Sequence, residues 1–201
     1  MTNTEVRPRP GGRSARIRRA VYDAALSALE NRQAHQVTIP EIAARAEVHP
    51  TSIYRRWGTV ERLLVEAVLE QSEQHLPIPD TGQLRADLIQ FVEELIRFAD
   101  NPHAAALLRS MAATTEDDPE MEAIRLQFWE SRMATASAMV TRAIARGEVA
   151  NTTDARCLLE LLIAPIHFRT LLSHEPLDEG LPTRLADAAI AAIDEFATTK
   201  D

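Results

Sequence analysis

The densest chemistry in the chain lies between residues 38 and 57, Thr-Ile-Pro-Glu-Ile-Ala-Ala-Arg-Ala-Glu-Val-His-Pro-Thr-Ser-Ile-Tyr-Arg-Arg-Trp. Ile42, Ala43, Ala46, Val48 and Ile53 are spaced to form a small core, and the two alanines let helices approach closely. Thr51, Ser52, Arg55 and Arg56 are then left outside. Short hydroxyls and guanidinium forks suit base edges and phosphates in a major groove. Enzymatic chemistry finds less support. The six histidines show no His-Glu-x-x-His spacing, and there is no Gly-x-Ser-x-Gly. Six glycines in all build no phosphate-cradling loop. The lone Cys157 excludes an intrachain disulfide framework and a zinc finger with several thiolates. No cofactor and no metal are expected. His103, Arg109 and Glu93 are the residues from which a polar catalytic site could be drawn, and generic charge pairing explains them equally well.

The surrounding elements must be helical. Ile17, Val21, Ala24, Ala25, Ala28 and Leu29 recur at helical spacing and predict an amphipathic helix over about 14–32. Thr38 and Glu41 form a capping box for a short helix over 39–46, with Val37 and Ile42 as its hydrophobic staple. Pro40 falls in its first turn, where a missing N–H is harmless. Glu47-Val48 is a break, and Pro50 opens the next helix at its first position, ending at Trp57. Thr59 caps a fourth helix. A long helix followed by two short ones across a tight turn is the outline of a helix-turn-helix. Pro77, Pro79 and Gly82 mark a linker. Beyond it the apolar spacing predicts helices over 84–98, 104–114, 119–146 (closed by Gly147), 155–173 (capped by Asp154) and 182–198.

Charge divides the chain. Residues 1–75 hold 11 Arg against 9 Asp and Glu, a net of +2, so the remainder carries −10 of a whole-chain charge of −8. The first nineteen residues contain six Arg and one Glu. This basic arm reads either as a polyanion contact or as a solvated tail. Aromatics are only 4% of the chain, against an aromatic-paired β-sandwich. No apolar run is long enough for a membrane span, and residues 1–12 lack the apolar segment of a signal peptide. A cytoplasmic location is the default expectation. The fold class expected is all-α, with about nine helices.

The 38–57 stretch resembles the DNA-binding domain of the TetR family of transcriptional regulators. The resemblance covers about 13–69. It rests on the Thr-x-x-Glu-Ile-Ala-x-x-Ala start, the Tyr-x-x-aromatic end of the recognition helix and the Glu-x-Leu-Leu opening of the fourth helix. It implies a flexible basic arm over 1–12 and a DNA-binding domain over 13–58. A connecting helix spans 59–75, and an effector-binding and dimerisation domain covers 76–201. By position it assigns phosphate contacts to Thr38 and Tyr54 and base contacts to Thr51 and Ser52. Arg55 and Arg56 become variable readers of bases or phosphates. His49 stands where Ser is usual at the recognition-helix start, and Trp57 matches the aromatic packed on the fourth helix. Arg13, from the basic N-terminal segment, completes the expected DNA-binding set. Two departures stand out. Glu47 occupies a turn position often held by Gly, where an αL conformation would strain it. Val60 replaces the usual Lys, which removes a phosphate contact or moves it to Arg56 or Arg62.

The resemblance further implies a homodimer joined through the last two helices, reading a palindromic double-stranded DNA operator. Physics agrees, since one small helix-turn-helix reads few bases and a two-fold pair spans half-sites about 34 Å apart. Leu158, Leu162, Pro165, Ile166, Leu185, Ala189, Ala192 and Phe196 are the expected interface. The second domain is where the family keeps a pocket for a small-molecule effector. Phe91, Phe98, Met111, Phe128, Trp129, Met133 and Phe168 are its candidate walls, with His103 and His167 as polar handles. Such a Met and aromatic stripe is more often plain core than pocket. The function expected is therefore a repressor released from its operator by a hydrophobic effector. Control by a protein partner, with the acidic loop 116–122 as its surface, is the alternative.

Overall fold

The computed structural model describes residues 12–29, 36–112 and 119–193. Most of the expected basic arm and Phe196 lie outside the described residues, as do the side chains of Arg13 and Met111 and most of the acidic loop. The described residues form ten helical segments and no β-strand. They are α1 (Gly12–Leu29), α2 (Ile39–Arg45), α3 (Pro50–Trp57), α4 (Val60–His75), α5 (Leu84–Ala99), α6 (Pro102–Ala112), α7 (Pro119–Ala136), α8 (Ala138–Arg146), α9 (Ala155–Phe168) and α10 (Leu181–Ala191). No described helix is long and apolar enough to cross a membrane.

Two apolar cores organise them. The first joins α1 to α4 around Leu29, Ile42, Ile53, Trp57, Leu63 and Leu64, and extends to Phe98, Leu108 and Phe128 of α5, α6 and α7. The second gathers α5, α7, α8, α9 and α10 around Leu88, Phe91, Met139, Leu159, Leu162 and Ile166. Leu76, one residue past α4, is buried in the second core. Helix α4 therefore spans both, and it packs on α1, α3, α5, α6 and α7.

The sequence signals act where expected at most termini. Thr38 accepts a hydrogen bond from the Glu41 amide, and Asp154 accepts from the amides of Arg156 and Cys157. Asn101 does the same for His103 and Ala104 at the start of α6. Two elements differ from the sequence reading. The single helix expected over 119–146 is interrupted at Ser137, dividing α7 from α8. Ser137 keeps helical dihedrals and its amide bond to the Met133 carbonyl, so the rod is continuous in hydrogen bonding. The Ser137 hydroxyl also donates to the Met133 carbonyl, and Thr141 donates to Ser137, a back-bonding pattern that bends helices. The helix expected to reach residue 173 is α-helical only to Phe168. A π-helical turn over Arg169–Ser173 follows and closes with His174 at φ 54°. Pro165 lies one turn upstream, where it removes a backbone donor.

The linker over 77–83 is held by an ionic cluster. The fully buried Asp87 accepts from the amide and hydroxyl of Thr81 at 2.6 and 2.7 Å, and Arg146 lies 3.7 Å from its other oxygen. Arg142 donates to the Pro79 carbonyl and pairs with Asp80. Glu148 accepts from the Leu84 amide at 2.6 Å and pairs with Arg146. These two donors hold the Glu148 carboxyl below its usual pKa, with the Leu84 amide the larger cause.

Candidate functional site

Helix α3 is short because it is capped tightly at both ends. His49 sits at its N-cap in an extended conformation, and its Nδ1 accepts from the Thr51 amide at 3.3 Å. The Thr51 hydroxyl lies 2.8 Å from the same nitrogen. His49 thus does what the Ser expected there does, through a ring nitrogen. Gly58, at φ 77°, ends the helix, and its amide bonds the Tyr54 carbonyl. Between these caps Ile53 and Trp57 point inward and are buried. Thr51, Ser52, Tyr54, Arg55 and Arg56 are all exposed, as are Thr38 and His49. Tyr54 is half exposed, which marks its ring as surface rather than core. Every described member of the expected DNA-binding set is therefore exposed.

The turn before α3 carries strain. Glu47 adopts φ 54°, the left-handed region expected from the sequence. A side chain there costs roughly 1–2 kcal/mol relative to the right-handed region.

The inner face of α3 is fixed to its neighbours by polar contacts that the sequence reading did not anticipate. The Trp57 indole N–H donates to Glu66 of α4 at 2.8 Å, and the Tyr22 hydroxyl of α1 donates to the same carboxylate oxygen at 3.1 Å. Tyr22 and Trp57 meet edge to face, 5.8 Å between centroids. Burial, then the adjacent Glu66 charge, pushes the Tyr22 phenol up to about 12. The Arg56 guanidinium lies 5.0 Å from the Trp57 ring centre, a cation–π contact that holds it beside α3. Glu66 could have been found as the acceptor lying on α4 one helical repeat from the capped start, but nothing in its spacing alone selects it.

A cavity lies in the second half of the chain, between α5, α6, α7 and α9. Leu76, Phe91, Leu95, Phe98, Ala99, Leu108, Phe128, Trp129, Arg132, Ala136, Ile163 and His167 line it. Its empty volume is about 490 Å³ including the mouth, but the space that the centre of a water molecule can occupy is about 40 Å³, so it is narrow. Phe128 and Trp129 stack edge to face at 5.2 Å, and Trp129 meets His167 likewise at 5.3 Å. Burial lowers the His167 imidazole to about 4, so the ring is neutral at neutral pH. A second, outer groove shares Trp129, Ile163 and His167 with the cavity and is rimmed by Met133, Arg156, Glu160 and Ala164.

Of the expected pocket residues, the structure brings Phe91, Phe98, Phe128, Trp129 and His167 to the cavity, and Met133 to the outer groove. Phe168 is 55% exposed on the opposite side of α9 and lines neither. His103 is absent from both linings, its ring nitrogens buried without a hydrogen-bond partner. The wall residues that sequence reasoning missed are chiefly aliphatic, and a Leu or Ile facing a cavity has the same spacing as one facing core. Arg132 was missed because a charged residue on a long helix reads as surface.

Of the expected interface residues, Leu158, Leu162, Ile166 and Ala189 are buried in the chain's own core. Pro165, Leu185 and Ala192 are half-buried. The apolar surface left over on this side is Leu161, Phe168 and Leu172, exposed by 38%, 55% and 71%. Their spacing places them on one face of α9 and its π-helical extension.

With this geometry described, comparison with known proteins is informative. Residues 21–67 match the family model "Bacterial regulatory proteins, tetR family", and residues 78–189 match "Tetracyclin repressor-like, C-terminal domain". The chain is 36% identical over 181 residues to the HTH-type transcriptional regulator AqdR of Rhodococcus erythropolis, covering 90% of this chain and 85% of AqdR. The crystal structure of the TetR family transcription regulator SCO0332 superposes with a TM-score of 0.77 at 22% identity, over 88% of this chain and 98% of that one. The transcriptional regulator FadR of Bacillus subtilis, solved in complex with stearoyl-CoA, gives 0.62 at 15% identity, over 87% and 96%.

Proposed function

The chain belongs to the TetR family of DNA-binding transcriptional regulators and is not an enzyme, and from that premise we propose that it represses from a palindromic operator as a homodimer and is released by an apolar small molecule. Regulators of this family bind DNA operators and act as dimers. In this reading residues 13–58 form the DNA-binding unit, 59–75 the connector and 76–201 the effector and dimer unit. The basic segment 1–13, with Arg13, adds positive charge that suits phosphates.

The observation that carries the DNA half is the face of α3. Thr51 and Ser52 lie at its first turn, where a recognition helix meets base edges. Arg55 extends from the same face as a base or phosphate reader. Tyr54, Thr38 and His49 flank it and suit the phosphates on either side. Arg56, held against Trp57, takes the place of the phosphate contact that Val60 cannot make.

The dimer forms through the face of Leu161, Phe168 and Leu172. Three exposed large apolar side chains on one stripe are the kind of patch that a partner copy covers. FadR, solved in complex with stearoyl-CoA, supports the reading that a small molecule is bound. In this chain the site is the narrow cavity under Leu76. A molecule of any size can occupy it only by parting α5, α7 and α9. That displacement supplies the differential affinity that release from DNA requires, about 1–3 kcal/mol of coupling.

Selection of random duplex DNA by the purified protein tests the reading. The expected result is a palindromic consensus whose affinity falls steeply with salt and is weakened in Tyr54→Phe and Arg55→Ala. Uniform weak binding to all duplexes, unchanged by either substitution, refutes it. A small-molecule screen against the selected operator then tests release. If no compound lowers operator affinity, the effector half fails and control by a protein partner takes its place.

A further inference from the structure

The start of α3 holds a contact whose direction its neighbours decide. Pro50 has no N–H, and the Ser52 amide already donates to the His49 carbonyl at 2.9 Å. The Thr51 amide is left for a side chain, and it donates to His49 Nδ1 at 3.3 Å. A backbone amide can only donate. The ring nitrogen that receives it has no proton of its own, so the imidazole proton is on Nε2. The Thr51 hydroxyl lies 2.8 Å from the same Nδ1. A hydrogen bond needs one hydrogen between its partners, and Nδ1 has none to give. The hydroxyl is therefore the donor.

The consequence reaches the DNA face. A hydroxyl has one hydrogen and two acceptor lone pairs, and when free it turns to suit either kind of partner. Thr51 is exposed, but its hydrogen is committed to His49. Towards DNA its oxygen can only accept. In the major groove the donors are the N4 amine of cytosine and the N6 amine of adenine, whereas guanine O6 and thymine O4 accept.

We infer that Thr51 selects an amino-bearing base, adenine or cytosine, over a keto-bearing one, and that His49 is the positioning residue that fixes this polarity. The inference rests on the reading of α3 as the recognition helix and names the chemistry of one of its contacts. A keto oxygen placed against Thr51 meets a lone pair, or else the hydroxyl has to leave His49. Either outcome costs affinity.

The test starts from the operator selected by the full-length protein. In both half-sites each adenine is exchanged in turn for hypoxanthine and each cytosine for uracil, with the opposite base changed to keep the pair. Every exchange puts a keto oxygen where an amine stood. The duplexes are titrated into wild type, Thr51→Val, His49→Ala and His49→Asn. The expected result is one position at which the exchange weakens wild type by roughly fivefold or more. There the same exchange should cost Thr51→Val less than about twofold, since its side chain has no acceptor to satisfy. It should cost His49→Ala less than about twofold as well, because the released hydroxyl can turn and donate to the keto oxygen. His49→Asn should restore the discrimination, because its Oδ1 is joined to Cγ as Nδ1 is and can only accept. Loss of the helix cap alone weakens binding to every duplex alike and does not move this ratio. A scan in which no exchange costs wild type more than about twofold overturns the inference, and it does so even where a variant fails to fold. A loss that Thr51→Val or folded His49→Ala keeps in full overturns it as well, as does a His49→Asn protein that fails to restore it. These results leave α3 standing as the recognition helix, because the selected operator is still bound. If no operator is selected, that reading falls and the inference falls with it.

Discussion

Replacing His167 by phenylalanine should make the protein relatively more stable in acid, by an amount the structure sets. Burial in the cavity wall lowers the folded-state imidazole pKa from 6.5 to about 4. Above pH 6.5 the ring is neutral in both folded and unfolded chains, and it contributes no pH dependence. As pH falls from 6.5 towards 4 the unfolded chain takes up a proton that the folded chain refuses, so stability is lost across that window. Linkage places the loss at about 2 kcal/mol at pH 5. Among the described residues, the charged groups that share a cavity or groove lining with the ring are Arg132 from α7 and, on its own helix, Arg156 and Glu160. Burial is the cause of the shift. Phenylalanine cannot titrate, and it keeps an edge-to-face partner for Trp129. Urea unfolding at pH 7.5 and pH 5.0, at one fixed protein concentration because assembly stabilises the fold, measures the effect. The variant's stability relative to wild type should rise by about 2 kcal/mol between the two pH values. A difference that does not change with pH, or an NMR titration in which His167 protonates near pH 6.5, refutes the dry cavity wall.

The strained turn gives a second prediction: Glu47→Gly should stabilise the fold by about 1 kcal/mol, raising Tm by roughly 2–4 °C in a calorimetric scan. Glu66→Leu leaves the Trp57 indole and the Tyr22 hydroxyl without their shared acceptor. It should cost about 1–3 kcal/mol in urea unfolding and weaken operator binding out of proportion to any loss of folded protein. Arg55→Ala should reduce the logarithmic salt slope of operator binding by about 1 if Arg55 meets a phosphate, or relax the selected consensus at one position if it meets a base. Leu161→Glu combined with Phe168→Glu should convert the dimer to monomer in sedimentation velocity, whereas Leu158→Ala should lower stability first.

How much of this was legible in the sequence depended on whether local chemistry or tertiary contact decided the outcome. Thr38, Asp154, Pro40, Pro50 and Gly58 act within one turn of the chain; the helices opened by Thr38, Pro50 and Asp154 begin as read, and α3 ends at Gly58 as read. The left-handed Glu47 turn was anticipated only through the family resemblance, in which Gly often holds that position. The α7–α8 break was not, since apolar periodicity runs through Ser137 undisturbed and hydroxyl back-bonding leaves no mark on that pattern. The exposed face of α3 followed from a helix with two inward residues, Ile53 and Trp57. The helices of the second domain defeated the same method. Helix α9 is apolar on more than one side, so spacing alone could not say whether Leu158 and Leu162 or Leu161 and Phe168 faced out. The cavity was half legible, because aromatics announce themselves and aliphatic walls do not.

The connection between cavity and DNA face is a matter of where α4 is held. At its C-terminal end Leu76 is part of the cavity wall and the second core. In its middle Glu66 holds Trp57, the last residue of the recognition helix, and Arg18 of α1 pairs with Glu70 at 3.4 Å. Close-packed cores transmit displacement rather than absorb it. A ligand that widens the narrow cavity must move Leu76 or the helices around it, and α4 cannot follow without carrying Glu66 and hence α3. In a dimer joined at α9, each α3 would move relative to its copy, and an operator of fixed half-site spacing tolerates only one separation. The Trp57–Glu66 bond is then the joint whose removal should separate effector binding from release. A Glu66→Leu protein that still binds an effector and still lets go of DNA to the full wild-type extent would place the transmission elsewhere, through the α1–α6 contact.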